Sequence, residues 1–342
     1  MSYEQGILVE KELDQRIVES TLADLGAFID AQENERFDAA TLEAKQFITG
    51  LYDTYAPEIN STARMIGTML GAAGLVFLAE RFGADDMHPK MYSGTHEREV
   101  LATFHHVGHS RDFIEAEFAY AQKVNQVTPG TYGPSAFMRF PVIGSLHDGI
   151  MGNGRGNDER QSGQLGGQLL CALGMSLTPD EPIKYGIGST AWKEKIMEQS
   201  FDPQEPYVEY QLASCTADLL PLHLRGGPRR ALGVISEDMC KQMNDRVLVR
   251  EAKAAGFVLA RASVETCYAF MDTSETLREV RGQKLRQQKR FFETFKPADE
   301  RLDAFFPGRS DNIDFLGKLC DAHDRREPGT VLLEMAREYE QA

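Results

Sequence analysis

His109, the adjacent pair His147-Asp148, and Asp218 are the side chains of this sequence best suited to chemistry. His147-Asp148 follows the mostly apolar run Phe140 to Leu146, and Asp218 falls in the apolar turn Ala217-Asp-Leu-Leu-Pro221. An imidazole or a carboxylate placed near a core without a partner is costly, so each needs one. A metal ion satisfies both types at once. Two imidazoles and two carboxylates suit a borderline divalent ion that keeps water in its open positions. Such an ion lowers the pKa of bound water and polarises a phosphoryl oxygen, which makes hydrolysis of a phosphate ester the natural chemistry. Taken singly, each residue also fits a structural role: Asp218 as the cap of a turn, His109 as a neighbour of a helix start. A second pair, His323-Asp324, is followed by Arg325-Arg326-Glu327-Pro328 and reads as a solvated helix end.

Further polar groups cluster near these four. Three of the eight histidines crowd into Phe104-His105-His106-Val107-Gly108-His109-Ser110. A glycine-rich loop, Gly149 to Gly156, follows the His-Asp pair and carries Arg155. Its amides and guanidinium suit a phosphate group, and a plain connection explains the same residues. No strand precedes it, so it is not a dinucleotide fingerprint. Asp158 and Gln161 fit a capping box, with a new helix starting there. Glu159 supplies favourable charge to that helix's first turn. Arg225, Arg229 and Arg230 follow Asp218 closely and either line the same pocket or sit as solvated loop charges. The Arg- and Lys-rich stretch Arg278 to Arg290 spreads its charges around most of a helix, which predicts a solvent-facing one.

The elements that must position these groups read as helices throughout. Val18, Leu22, Leu25 and Ile29 form one stripe, and Ala44, Ile48, Leu51 and Tyr55 a second. Ile66, Met69, Leu70, Ala73 and Phe77 form a third, separated from the second by Pro57. One-sided stripes at this spacing belong to helices that bury one face on a neighbour. A helix is expected from near Thr95, and a longer one from about His109 to Val124 with Phe113, Ala116, Tyr120 and Val124 inward. Thr128-Pro-Gly is a turn. The helix ending at His147-Asp148 follows, then the capped one with Leu165, Leu169 and Leu173, interrupted by Pro179 and Pro182. A helix centred on Tyr210 to Leu222 carries Asp218, and Phe257, Ala260, Val264, Cys267 and Met271 mark a long stripe. No alternating strand pattern persists. The expectation is an all-α fold: a helical N-terminal extension over residues 1–90, a metal-binding helical core over 91–235, and C-terminal helices over 236–342 packed on it.

Composition narrows the partners. The 342 residues, 42% hydrophobic, are ample for a large core in one domain or two close-packed ones. A net charge of −15 argues against a nucleic-acid polymer, whose phosphates call for clustered Lys and Arg. A small phosphorylated substrate needs only a local basic pocket. The five cysteines are scattered, with no CxxC pair, as in a reduced intracellular protein. The start Met-Ser-Tyr-Glu-Gln lacks the character of a signal peptide. The apolar run Met65 to Ala79 is too short to span a bilayer. The expectation is therefore a cytoplasmic protein with no membrane partner; monomer and homo-oligomer are both open.

The order His, then His-Asp, then Asp resembles the HD superfamily of metal-dependent phosphohydrolases. Phe104-His105-His106-Val107-Gly108-His109 is similar to that family's Tyr-His-Asn-x-x-His segment, and Leu146-His147-Asp148 to its apolar-His-Asp helix end. Asn157-Asp-Glu-Arg-Gln-Ser162 resembles the Asn-Glu-Glu-x-Ser segment of one bacterial branch. Ile187-Gly-Ser-Thr190 resembles an Ile-x-x-Thr element, and Ala217-Asp218-Leu219 the final Ala-Asp-Leu. The likeness covers about residues 95–225. It implies an HD-type helical core and one divalent ion (Mn, Co, Fe, Ni, Zn or Mg) held by His109, His147, Asp148 and Asp218. His105 would face the substrate as a general acid or phosphate contact, although His106 and Phe104 depart from the family's Asn and Tyr. Asp148 would serve as ligand and base, with Glu159 as a second base by analogy with alarmone-hydrolysing relatives. Arg155 and Arg225 would hold phosphate.

Dinuclear members of the superfamily place two further histidines between the His-Asp pair and the final Asp. None lies between Asp148 and Asp218 here. This favours one ion and hydrolysis of a nucleotide or other small phosphate ester. The alternatives are a catalytically silent binding or regulatory protein of the same fold and, opposed by the missing histidines, a di-iron oxygenase.

Overall fold

Apolar side chains recurring every three or four residues fold as the helices that spacing requires, and the computed structural model is all-α. It describes residues 15–27, 29, 39–82, 91–93, 102–104, 107–150, 157–193, 198–199, 201, 203–229, 232, 251, 254–256 and 264–341. The stretch from Thr95 where a helix was expected to start, and the upstream half of the Phe257 to Met271 stripe, lie outside these residues. The strands are only two or three residues long. β1 (Met91–Ser93) pairs antiparallel with β2 (Ala102–Phe104), Tyr92 opposite Thr103. β3 (Trp192–Lys193) and β4 (Glu198–Gln199) have two residues each.

The chain divides into two compact units. The first takes residues 1–87, 107–194 and 199–218, and the second takes 88–106, 195–198 and 219–342. The helices of the expected N-terminal extension thus pack with those that carry His147 and Asp218. In the first unit α1 (15–27) buries Val18 and Leu25, and α2 (Ala39–Tyr55) buries Ala44, Ile48, Leu51 and Tyr52. α3 (Ser61–Phe82) is N-capped by Asn60, whose Oδ1 accepts from the Ala63 amide at 3.0 Å. α4 is Val107–Val127, α5 Pro134–Leu146, α6 Asn157–Ala172 and α7 Glu181–Gly188. α8 (Val208–His223) runs past Asp218, the last residue of the first unit.

The tightest packing is between α3 and α5, and glycine makes it possible. A Cβ at Gly71 would stand 2.4 Å from Pro141 Cβ, and one at Gly74 would stand 2.3 Å from Ser145 Oγ. Glycine there lets two backbones approach where any side chain would hold them apart. By length and composition alone, Ser61–Leu78 of α3 is long and apolar enough to cross a membrane. In this fold its glycine face is packed on α5.

Pro182 starts a helix rather than interrupting one. It lies in the first turn of α7, where Asp180 caps the end by accepting from the Ile183 amide at 3.1 Å. The Asp158 capping box is also revised. α6 begins at Asn157, so Asp158 lies within the first turn, where its charge still complements the helix N-terminus.

The second unit holds α9 (Val264–Met271), α10 (Glu275–Thr294), α11 (Leu302–Phe305), α12 (Arg309–Asp324) and α13 (Gly329–Gln341). Here α10 is not solvent-facing all round. Leu277, Arg281 and Leu285 share its buried face, and Arg281 is wholly buried. Its guanidinium donates to Asp272 Oδ1 at 2.7 Å, to the Glu327 carbonyl at 3.2 Å and to His323 Nδ1 at 3.3 Å. The His323-Asp324 pair does end a helix, but His323 faces this network rather than solvent. Gly282 admits it, since a Cβ there would lie 2.3 Å from His323 Nε2.

Candidate functional site

The site is built from the C-terminal end of α5. Phe140, Val142, Ile143 and Leu146 bury that helix, and Gly144 brings α4 against it. A Cβ on Gly144 would meet Ile114 Cγ1 at 2.4 Å and the Ile114 amide nitrogen at 3.1 Å. That approach seats His147 face to face on Phe113, with ring centroids 4.5 Å apart and planes at 16°. His147 is 4% exposed.

Its hydrogen bonding determines which nitrogen can act. Nδ1 lies 2.8 Å from the Gly144 carbonyl oxygen, which can only accept, so Nδ1 carries the proton. In the neutral ring the Nε2 lone pair is then presented outward, as a metal-binding imidazole requires. Nε2 stands 3.2 Å from Asp148 Oδ2. A lone pair facing a carboxylate oxygen is repulsive unless a cation, either a proton or a metal ion, sits with them. Burial works against charging this ring. The Asp148 carboxylate, the Gly144 carbonyl and the charge of Asp218 outweigh it and hold the ring's pKa above its ordinary value.

Asp148 is partly exposed, with 28% of its side chain open to solvent. The chain beyond it is tied back to α6. Ser162 Oγ accepts from the Ile150 amide at 3.0 Å and donates to the Ile150 carbonyl at 3.3 Å.

Asp218 is half-buried on α8, between the buried Ala217 and Leu219. Its charge reaches both His147 and Cys215. Burial pushes the Cys215 thiol up to about 12, against the bond to Ser189 and with the help of the Asp218 charge. The Ile187-Gly-Ser-Thr190 element packs the end of α7 on α8. Ser189 Oγ donates to the Gly186 and Gln211 carbonyls, and Cys215 Sγ to the Ser189 carbonyl at 3.0 Å.

His109 lies in α4 one turn before Phe113, on the same helical face. Its side chain lies outside the described residues, as do His105 and Arg155 altogether. Glu159 is half-buried in the first turn of α6. Arg225 lies in the second unit, its guanidinium 5.3 Å from the centre of the Tyr339 ring.

The structure thus brings together His147, Asp148 and the field of Asp218. Among the described residues no three His, Cys, Asp or Glu side chains already stand in metal-holding geometry. In kind the set fits a divalent ion: one fixed imidazole lone pair and two carboxylates whose charges balance that of the ion. Residues that position the site without being candidates for its chemistry are Phe113, Gly144 and Ser162. Phe113 is marked in the sequence by the inward stripe of its helix and Ser162 by the segment it closes, whereas nothing in the sequence marks Gly144.

Compared with known proteins, the chain matches no family model, no curated protein and no solved structure.

Proposed function

We propose that this chain is a metal-dependent phosphohydrolase with an HD-type helical core and one divalent ion, acting on a nucleotide or another small phosphate ester. The observation that carries the reading is the corner made by His147 and Asp148. A tautomer fixed by Gly144 turns an imidazole lone pair toward a carboxylate 3.2 Å away, in a nearly buried setting that a second carboxylate, Asp218, makes more negative. Such a corner asks for a cation. His147, Asp148 and Asp218 would hold the ion, with His109 of α4 as the fourth ligand. When bound, the ion would supply a water of lowered pKa and polarise a phosphoryl oxygen.

The remaining work falls to the chain's own groups. Asp148, partly open to solvent, takes a proton from the attacking water. Phe113 and Gly144 keep His147 from turning. Arg155, which follows Asp148 in the sequence, and His105, which precedes α4, are the proposed phosphate contacts, and Glu159 a second base. Arg225 is proposed as a phosphate contact on its nearness in sequence to Asp218 alone.

The test combines metal analysis with a phosphatase screen. Protein reconstituted separately with Mn, Co, Fe, Ni, Zn and Mg should hold one ion per chain. It should release phosphate from at least one member of a nucleotide and phosphate-ester panel, and Asp218→Ala should abolish that release. Absence of stoichiometric metal overturns the reading. Metal without turnover on any substrate favours the silent binding protein, and two irons per chain favour an oxygenase.

A further inference from the structure

Glu117 takes no part in the site described above, yet its side chain is wholly buried. It lies on α4 one turn beyond Phe113, the residue stacked on His147. Ser214 Oγ donates to its Oε1 at 2.9 Å, and Ser214 lies on α8 one turn before Asp218. Oε2 is buried with no hydrogen-bond partner among the described residues. No charged side chain among those residues acts on it. Burial drives its pKa well above the ordinary carboxylate range, and only the Ser214 hydroxyl opposes this. An ionised carboxylate enclosed in this way would need a cation or several donors, and one hydroxyl supplies one. A neutral acid needs far less, and its Oε1 can still accept from Ser214.

We propose that Glu117 is a positioning residue, an undissociated carboxylic acid that clamps α4 to α8 and so sets the spacing of the helices carrying His109 and Asp218. The clamp belongs to the metal-free protein; only its consequence for metal binding rests on the hydrolase reading.

Infrared difference spectroscopy at neutral pH should find the carbonyl stretch of a protonated carboxyl group that shifts in D2O and disappears in Glu117→Gln. Glu117→Gln reproduces the shape of the neutral acid, so it should melt with the wild type and bind Mn2+ with wild-type affinity. Glu117→Ala should stay folded by circular dichroism and bind Mn2+ about 10-fold more weakly, the loss expected when a group behind a ligand is removed. Ser214→Ala should lower the melting temperature, but not further in the Glu117→Ala background. If Glu117→Ala does not fold, Ser214→Ala carries the Mn2+ measurement in its place.

The clamp is overturned if the folded wild type lacks the infrared band, if Glu117→Gln weakens Mn2+ binding as much as Glu117→Ala, or if the two substitutions lower stability additively. If the wild type takes up no Mn2+, the hydrolase reading falls, while the band and the stability cycle still decide the clamp.

Discussion

Substituting Gly71 by alanine tests the packing that supports the His147 corner. Gly71 lies mid-way along α3, where alanine alone should favour the helix by about 0.5–1 kcal/mol. Here the new methyl would stand 2.4 Å from Pro141 Cβ, 2.9 Å from Ile48 Cδ1 and 3.1 Å from the Pro141 carbonyl carbon. Carbon atoms in ordinary contact lie about 3.5–4.0 Å apart, so something must move by about 1 Å. Ile48 can change rotamer. Pro141 cannot, because its ring is closed on the backbone inside α5. The two helices must separate, and overpacking of this kind costs about 1–3 kcal/mol. Net of the helix gain, Gly71→Ala should destabilise by on the order of 1–2 kcal/mol. That corresponds to roughly 2–8 °C in Tm for a unit of this size. Gly50 of α2 is the control, since a Cβ there meets nothing within 4 Å and alanine should raise Tm. Thermal unfolding by far-UV circular dichroism reads both. A Gly71→Ala protein that melts at or above the wild type would refute the claim that glycine is needed for the close approach of α3 and α5.

Three further outcomes are expected. Arg281→Met removes a wholly buried guanidinium and leaves Asp272 only Arg278 and the Gly329 amide, so it should cost about 1–3 kcal/mol in urea unfolding of the second unit; an unchanged midpoint would show that the network contributes nothing. Asp180→Ala should lose the α7 cap, worth about 1 kcal/mol, and leave Arg139 without the carboxylate it pairs with at 2.8 Å, whereas Asp180→Asn keeps the bond to Ile183 and should lie between it and the wild type. The second unit should be acid-sensitive, as measured by its melting temperature between neutral pH and about pH 4. Burial and the Arg281 charge hold His323 below its ordinary 6.5, while burial, against the Asp303 carboxylate and with Arg309, pulls His223 down to about 4. The unfolded chain therefore binds these protons first, and stability falls as pH drops below about 6.5. His323→Leu should flatten part of that slope, and an equal slope would count against the assignment.

Helix placement was legible because the signal is local. Ala44, Ile48 and Leu51, spaced at helical intervals, are buried on one face of α2 as read. The His147-Asp148 helix end was legible for the same reason, since an apolar run stopping at two polar residues is a pattern within one element. Arg281 was misread because charge around a helix says nothing about which neighbour will supply an acceptor. Asp272, His323 and the Glu327 carbonyl come from three other places in the chain. The capping box was misplaced because Asp158 fits a cap and a first-turn acid equally well in sequence, and α6 already includes Asn157.

From sequence alone came the all-helical class and the polar pair that ends α5, because periodicity and residue chemistry are properties of short stretches. Which nitrogen of His147 is presented, what it stacks on, and how Asp218 comes to act on it were decided by packing. Those relations depend on where α4, α5 and α8 meet, and it is Gly144 that lets α4 approach α5. A glycine in a sequence does not say what will lie against it. Only the folded chain supplies the neighbour, and with it the electrostatics of the site.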